Sequence, residues 1–262
     1  MPTFLGIDLA WKSKNPSGVC VLQERSGEFT CTDLRAVPLG VDALVELALG
    51  YGDDVVVAID APLIISDQRR AEREVGRLFS SYHASAYPAD RALLEPAGLL
   101  AGPDLGKALG HRGFSLDPRV LQPGGGGRHA FEVYPHTLHV VWFDLCERIP
   151  YKAKRGRSPS DLVDCLQHYQ RCLGKVLRCW MPELLEASQE LRGLLDPGAA
   201  ECRGRERKDL EDRLDAVTCA LAAYRAWRDG VDDCEILGDT QDGYIAVPGL
   251  KDDPRFAAAL SR

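Results

Sequence analysis

Two short runs in the sequence end in the same way: Phe4-Leu5-Gly6-Ile7-Asp8 and Val55-Val56-Val57-Ala58-Ile59-Asp60 are apolar strand patterns closed by an aspartate. A buried carboxylate is costly unless it is paired, hydrogen-bonded or bound to a cation. If the two strands pair in parallel, both acids emerge at the carboxyl edge of one sheet, where open α/β sheets place their sites. Two carboxylates that approach closely repel, and one is driven toward protonation unless a cation intervenes. Oxygen-rich sites of this kind select Mg²⁺ or Mn²⁺.

Further acids could reach the same edge. Glu132 lies in a third strand pattern, Phe131 to Pro135. Asp215 lies in the helical run LEDRLDAVTCALAAYRAW, where Leu210, Leu214, Val217, Leu221 and Tyr224 form an apolar stripe. A second stripe, Asp215, Cys219, Ala222 and Ala226, carries small residues that allow close approach to a sheet, and it begins with an acid. Asp212, one turn earlier, could face the same site, although a solvated aspartate in a first helical turn is the simpler account of it. Taken singly, each acid is explained by a cap or an ion pair. As a set they point to a carboxylate-held metal centre, and a pair of such ions can activate water and stabilise the leaving oxygen of a phosphodiester.

Other reactive side chains carry weaker signals. His136 and His139 stand three apart at a helix start and could ligate a transition metal, but a hydrogen-bonded or surface histidine is the simpler reading, and His129 has no assigned role. Three basic clusters, Arg69 to Arg77, Lys152 to Arg157 and Arg203 to Lys208, read as solvated faces. Within YKAKRGR, Lys152, Lys154 and Arg155 are the candidates to contact a nucleic-acid backbone, a contact without sequence specificity. The nine cysteines form no CxxC pair, which argues against a disulfide framework or zinc knuckle. Cys165, Cys172 and Cys179 recur every seven residues, as a small-hydrophobe seam on one helix would. Gly124 to Gly127 precede a strand, whereas a phosphate-binding glycine loop follows one, so no dinucleotide fingerprint is read there.

The elements that must position these residues follow from punctuation and periodicity. Residues 4–10, Val19 to Gln23 and Phe29 to Val37 form an antiparallel meander, separated by Asn15-Pro16-Ser17-Gly18 and Ser26-Gly27. A helix over Val41 to Leu49 then crosses to the strand ending at Asp60, which makes the sheet mixed. Ser66 to Ser81 reads as a charged helix with Ser66 as its cap, and Tyr87 to Gly127 as an aperiodic Gly/Pro-rich lid or binding loop. Helices are expected over Thr137 to Glu147, Asp161 to Trp180, Pro182 to Leu195 and Glu206 to Arg228, and Gly243 to Val247 as an edge strand.

The 262 residues, 45% hydrophobic and 27% charged, suffice for one domain with insertions at about 87–127 and 137–205. A net charge of −7 argues against a general polyanion binder and favours a restricted substrate. No leader pattern or membrane-length apolar run is seen, which makes the cytoplasm the expected compartment.

The segments GIDLAW, VVAIDAPL, FEVYP, YKAKRG, DRLDAVTCALAAY and GDTQDGYIAVP together resemble the domain-of-unknown-function 429 family, described as predicted nucleases of the RNase H-like superfamily. The resemblance spans Leu5 to Pro248. It implies an RNase H-like fold, a metal site at Asp8, Asp60 and Asp215 with Glu132 as an additional ligand, and nucleic acid as substrate. GIDLAW followed by a hairpin also resembles the first phosphate loop of actin-like kinases and ATPases, although no second copy of the motif is present. A third reading is an RNase H-like scaffold that binds without catalysis.

Overall fold

Side chains alternate across a strand, so the first strand sorts its residues onto two faces. In the structure of the protein, a computed structural model describing residues 1–154 and 156–260, β1 (Thr3–Asp8) pairs antiparallel with β2 (Pro16–Arg25), and β2 with β3 (Glu28–Pro38). The chain crosses through α1 (Val41–Leu49) into β4 (Val55–Asp60), which lies parallel to β1 and sets Asp8 opposite Asp60. After α2 (Ala71–Phe79), α3 (Arg91–Ala97) and α4 (Ala101–His111), β5 (Arg128–Glu132) adds parallel to β4. The five-stranded sheet has the order β3-β2-β1-β4-β5, the expected meander with two parallel strands.

The second half is mostly helical: α5 (Pro135–Trp142), α6 (Pro159–Trp180), α7 (Pro182–Ala187), α8 (Gln189–Leu194) and α9 (Gly204–Asp229). A hairpin of β6 (Cys234–Asp239) and β7 (Gly243–Pro248) and a short α10 (Ala257–Leu260) complete the described chain. Leu5, Ile7, Val57 and Ile59 pack on one sheet face with Leu44 of α1 and Leu105 of α4. Phe4, Val56, Ala58 and Phe131 pack on the other, with α9 and the helical segments. Each fully buried side chain of this kind contributes roughly 1.5–3 kcal/mol, which makes the two apolar layers the main support of the sheet.

Several elements depart from expectation. The stretch 87–127 contains α3, α4 and a 3₁₀ turn at Pro118–Val120 rather than an aperiodic loop. Its glycines mask the helix: a Cβ on Gly102 would lie 2.4 Å from the Pro62 carbonyl oxygen, and one on Gly106 2.6 Å from that of Leu63. Glycine there permits helix-to-backbone contact. The charged helix begins at Ala71: the Ser66 hydroxyl oxygen accepts the nearby Gln68 N–H and caps no helix. The Pro182 to Leu195 segment divides at Ser188, whose hydroxyl caps α8 through Leu191 N–H. β7 pairs with the unforeseen β6 and packs beside the end of β5, with a parallel bridge between Val133 and Ala246. On α6 the apolar seam is Leu166, Leu173 and Leu177, while Cys165 and Cys172 are half-buried and Cys179 is exposed.

Candidate functional site

Helix α9 meets the sheet backbone to backbone at two glycines. A Cβ on Gly6 would lie 2.0 Å from the Ala216 carbonyl oxygen and 2.2 Å from Ala220 N; one on Gly18 would lie 2.0 Å from the Asp212 carbonyl oxygen. Real side chains do not tolerate such distances, so glycine at both positions permits α9 to settle against β1 and β2. Gly6 shares a strand face with Asp8, and Gly18 is the strand partner of Asp8. The contact therefore carries Asp212 and Asp215 to the end of β1 that holds the acid.

Carboxylate oxygens of Asp8, Asp60 and Asp215 lie within 4.8 Å of one another. Asp215 is fully buried, whereas Asp8 and Asp60 are half-buried at the strand ends. The Tyr151 hydroxyl donates to Asp215 Oδ1 at 2.6 Å, the Tyr169 hydroxyl lies 3.1 Å from the same oxygen, and Lys152 Nζ lies 2.9 Å from Oδ2. Burial alone would raise the Asp215 pKa, but the Lys152 ammonium and the Tyr151 hydroxyl outweigh it and hold the carboxyl below its usual range. Asp8 and Asp60 go the other way. Burial pushes each up to about 8, with added repulsion from neighbouring aspartates and only partial relief from Lys152. Asp8 Oδ2 is buried and no donor reaches it. With Asp212 beside it, the cluster thus holds more negative capacity than Lys152 and Lys208 neutralise.

Asp212 is buried, with Lys208 bonded to Oδ1 and no donor at Oδ2, so it belongs to the rim of the cluster rather than to solvent. Glu132 does not join the three aspartates. Its two oxygens take a bidentate contact from Arg69, at 2.6 and 3.2 Å, and the Leu63 N–H at 3.2 Å. Arg69, taken from sequence as part of a solvated face, has a side chain wholly shielded from solvent and also binds Glu72 and the Ile64 carbonyl. A Cβ on Gly243 would lie 2.3 Å from the Arg69 guanidinium, so the hairpin glycine makes room for this pair.

The other sequence candidates divide by position. His136 and His139 are buried among aromatic rings, His139 stacking on Phe143 at 5.0 Å and lying 4.3 Å from the Tyr169 ring. Burial lowers the His139 pKa to about 3 and keeps His136 neutral as well. His129 is the second residue of β5, opposite Val56 and away from the strand ends that carry the acids, and its Nε2 lies 3.3 Å from the Gly126 carbonyl oxygen. Lys152 faces Asp215 instead of open solvent, and Lys154 donates to the Tyr87 hydroxyl at 3.0 Å. Arg155 lies outside the described residues. Tyr151, Tyr169 and Lys208 were not singled out as site residues in the sequence. Tyr151 had one usable signal, its place beside Lys152, whereas nothing local to α6 marks Tyr169.

The cluster lies in a cleft of about 790 Å³. Asp8, Asp60 and Asp212 line it with Arg148, Lys152, Lys154, Arg157 and Lys208, and Trp11 and Tyr87 present exposed rings to it. The turn after β1 that carries Trp11 is tied down by the Ala10 N–H donating to Ser17 Oγ at 3.0 Å. No helix among the described residues is long and apolar enough to cross a membrane.

No curated protein matches the chain. A family model does: that of DUF429, described as a protein of unknown function, matches residues 6–236, a span that includes Asp8, Asp60 and Asp215, and the chain therefore belongs to the DUF429 family.

Proposed function

We propose that the protein is a divalent-cation-dependent phosphodiesterase of RNase H-like architecture acting on nucleic acid. The observation that carries this reading is the convergence of Asp8, Asp60 and Asp215 within 4.8 Å at the ends of β1 and β4 and on α9, with Asp8 Oδ2 buried and unreached by any donor. The strand order and the acid on a late helix support the architectural part.

The donor set fits Mg²⁺ or Mn²⁺: all three groups are carboxylates, and two of them are held up to about 8 by burial until a positive charge compensates them. Asp8, Asp60 and Asp215 would hold the ion, which would supply a polarised phosphate and a more acidic water. The chain's own groups do the rest. Tyr151 and Tyr169 fix the Asp215 carboxyl through Oδ1, leaving Oδ2 turned toward Lys152. Lys152 is held protonated by the three aspartates, against the effect of burial, and can accept a phosphate oxygen as a partner. Arg148 and Lys154 extend the positive side of the cleft along a strand's phosphates.

Incubation with Mn²⁺ and labelled single-stranded, duplex, hybrid and junction substrates tests this reading. Cleavage is expected in at least one, with a fall of at least about 100-fold in Asp8→Asn, comparable to losing a group that stabilises transition-state charge. Cleavage that survives Asp8→Asn, or none in any substrate, would remove the reading.

A further inference from the structure

The carboxylates sit inside a concavity whose volume, about 790 Å³, is that of a small-molecule pocket. A base-paired helix cannot enter such a space with both strands. A nucleotide free of its partner can. The lining suits one: Tyr87 is 76% exposed and Trp11 47% exposed, although aromatic rings of that size are usually covered, and both belong to the cleft wall. Exposed rings beside a groove are the sequence-tolerant stacking platforms of single-strand binders. Lys154 lies 5.4 Å from the Tyr87 ring centroid and donates to its hydroxyl, which sets a cation at the edge of the same surface. Pro62, Leu94 and Ile245 supply apolar wall.

The charge distribution points the same way. The chain carries −7 overall, so it lacks the basic balance that tracks a long duplex, and the cations Arg148, Lys152, Lys154, Arg157 and Lys208 are local to the cleft.

We propose that this cleft takes an unpaired nucleotide, its base stacked on Tyr87 or Trp11 and its phosphate directed at the aspartate cluster, and that the substrate is therefore single-stranded nucleic acid or a free nucleotide and not duplex. The proposal rests on the phosphodiesterase reading for its chemistry but concerns binding, so the two can fail separately.

The test is fluorescence anisotropy of the full chain with a labelled single-stranded oligonucleotide and the blunt duplex of the same sequence, in EDTA and again in Ca²⁺, with a mononucleotide as competitor. The single strand is expected to bind about 10-fold or more tighter than the duplex, and Tyr87→Ala or Trp11→Ala to weaken it by about 10-fold with an unchanged circular dichroism spectrum. Contact with two or three phosphates predicts a slope of log affinity on log salt no steeper than about −2. Ring-dependent competition by the mononucleotide would assign the cleft to free nucleotides; ring-dependent binding of the oligonucleotide alone would assign it to strands. Equal duplex binding, absence of binding, or affinity indifferent to both ring substitutions overturns the proposal. Ring-dependent single-strand binding without Mn²⁺-dependent hydrolysis would keep this proposal and remove the phosphodiesterase reading. Hydrolysis of duplex as readily as single strand would do the reverse.

Discussion

Asp8 and Asp60 are strand partners whose carboxyls are each pushed up to about 8 by burial, with the neighbouring aspartates adding to the rise. An unfolded aspartate titrates near 3.9, so from about pH 6.5 to pH 8 these carboxyls make the cation-free folded chain bind more protons than the unfolded one, whereas at lower pH the buried neutral His136 and His139 oppose them. Its stability should therefore fall as pH rises through that window, and melting curves at a series of pH values in EDTA check the sign. Protons and a cation compete for these oxygens, so Mn²⁺ affinity should rise over the same range. Asp8→Asn removes one buried charge: it should raise the melting temperature in EDTA at pH 8 and abolish the Mn²⁺-dependent rise. Glu132 has a different task, since both its oxygens are taken by Arg69 and Leu63 N–H. Arg69→Met should cost about 3–5 kcal/mol in denaturant unfolding, the usual loss when one partner of a buried ion pair goes. Glu132→Gln, if it folds, should weaken Mn²⁺ binding far less than Asp8→Asn does, because the Glu132 oxygens are already engaged by Arg69 and Leu63 N–H. From sequence, Glu132 looked like an additional ligand because it lies in the next strand pattern and could approach the same sheet edge, a role the family resemblance also implied. What redirected it is Arg69, 63 residues away in the chain, and no local pattern announces such a partner.

At the scale of elements, the site depends on how closely α9 approaches the sheet. Gly6→Ala or Gly18→Ala would drive a methyl to within 2.0 Å of α9 backbone oxygens. Each should destabilise by at least about 1–3 kcal/mol, the usual range for overpacking, and weaken Mn²⁺ binding as Asp215 moves off. Gly76→Ala, inside α2 with nothing within 4 Å of its would-be Cβ, should be neutral or stabilise by up to about 1 kcal/mol. Urea midpoints of the three variants separate close approach from a general intolerance of alanine. The same glycines explain what could be read in advance. Unbroken apolar runs such as VVVAID, bounded by turn residues, were legible as strands, and α9 was legible as a helix that approaches the sheet through small residues, although those meeting Gly6 and Gly18 are Asp212, Ala216 and Ala220 rather than the stripe of Asp215, Cys219, Ala222 and Ala226. Helix α4 was not, because Gly102 and Gly106 lower local helix propensity for a reason located in Pro62 and Leu63. β6 was missed because only Cys234 and Leu237 are buried along it, which leaves no strict alternation to detect.

Across the whole molecule, the three aspartates come from positions 8, 60 and 215 and meet only when the sheet, its crossover and the last long helix are all in place. A cation bound there ties together segments from both ends of the chain and stabilises only the folded state. At 100 times its dissociation constant such an ion contributes about 2.7 kcal/mol, which a rise in melting temperature with Mn²⁺ concentration should reveal. The convergence of Asp8 and Asp60 was legible because parallel pairing follows from the crossover helix. The depth of the cleft was not, since its walls draw on Trp11, Tyr87, Arg148 and Lys208, which share no motif. The most direct measurement is isothermal titration of Mn²⁺ into the full chain and into Asp8→Asn and Asp60→Asn, each first shown to be folded by circular dichroism. Saturable binding in the native chain, weakened about 10-fold or more in each variant, is the result expected when a charged ligand is lost. Absence of binding to the native chain, or binding equally tight in both variants, would contradict a cation site built on these carboxylates.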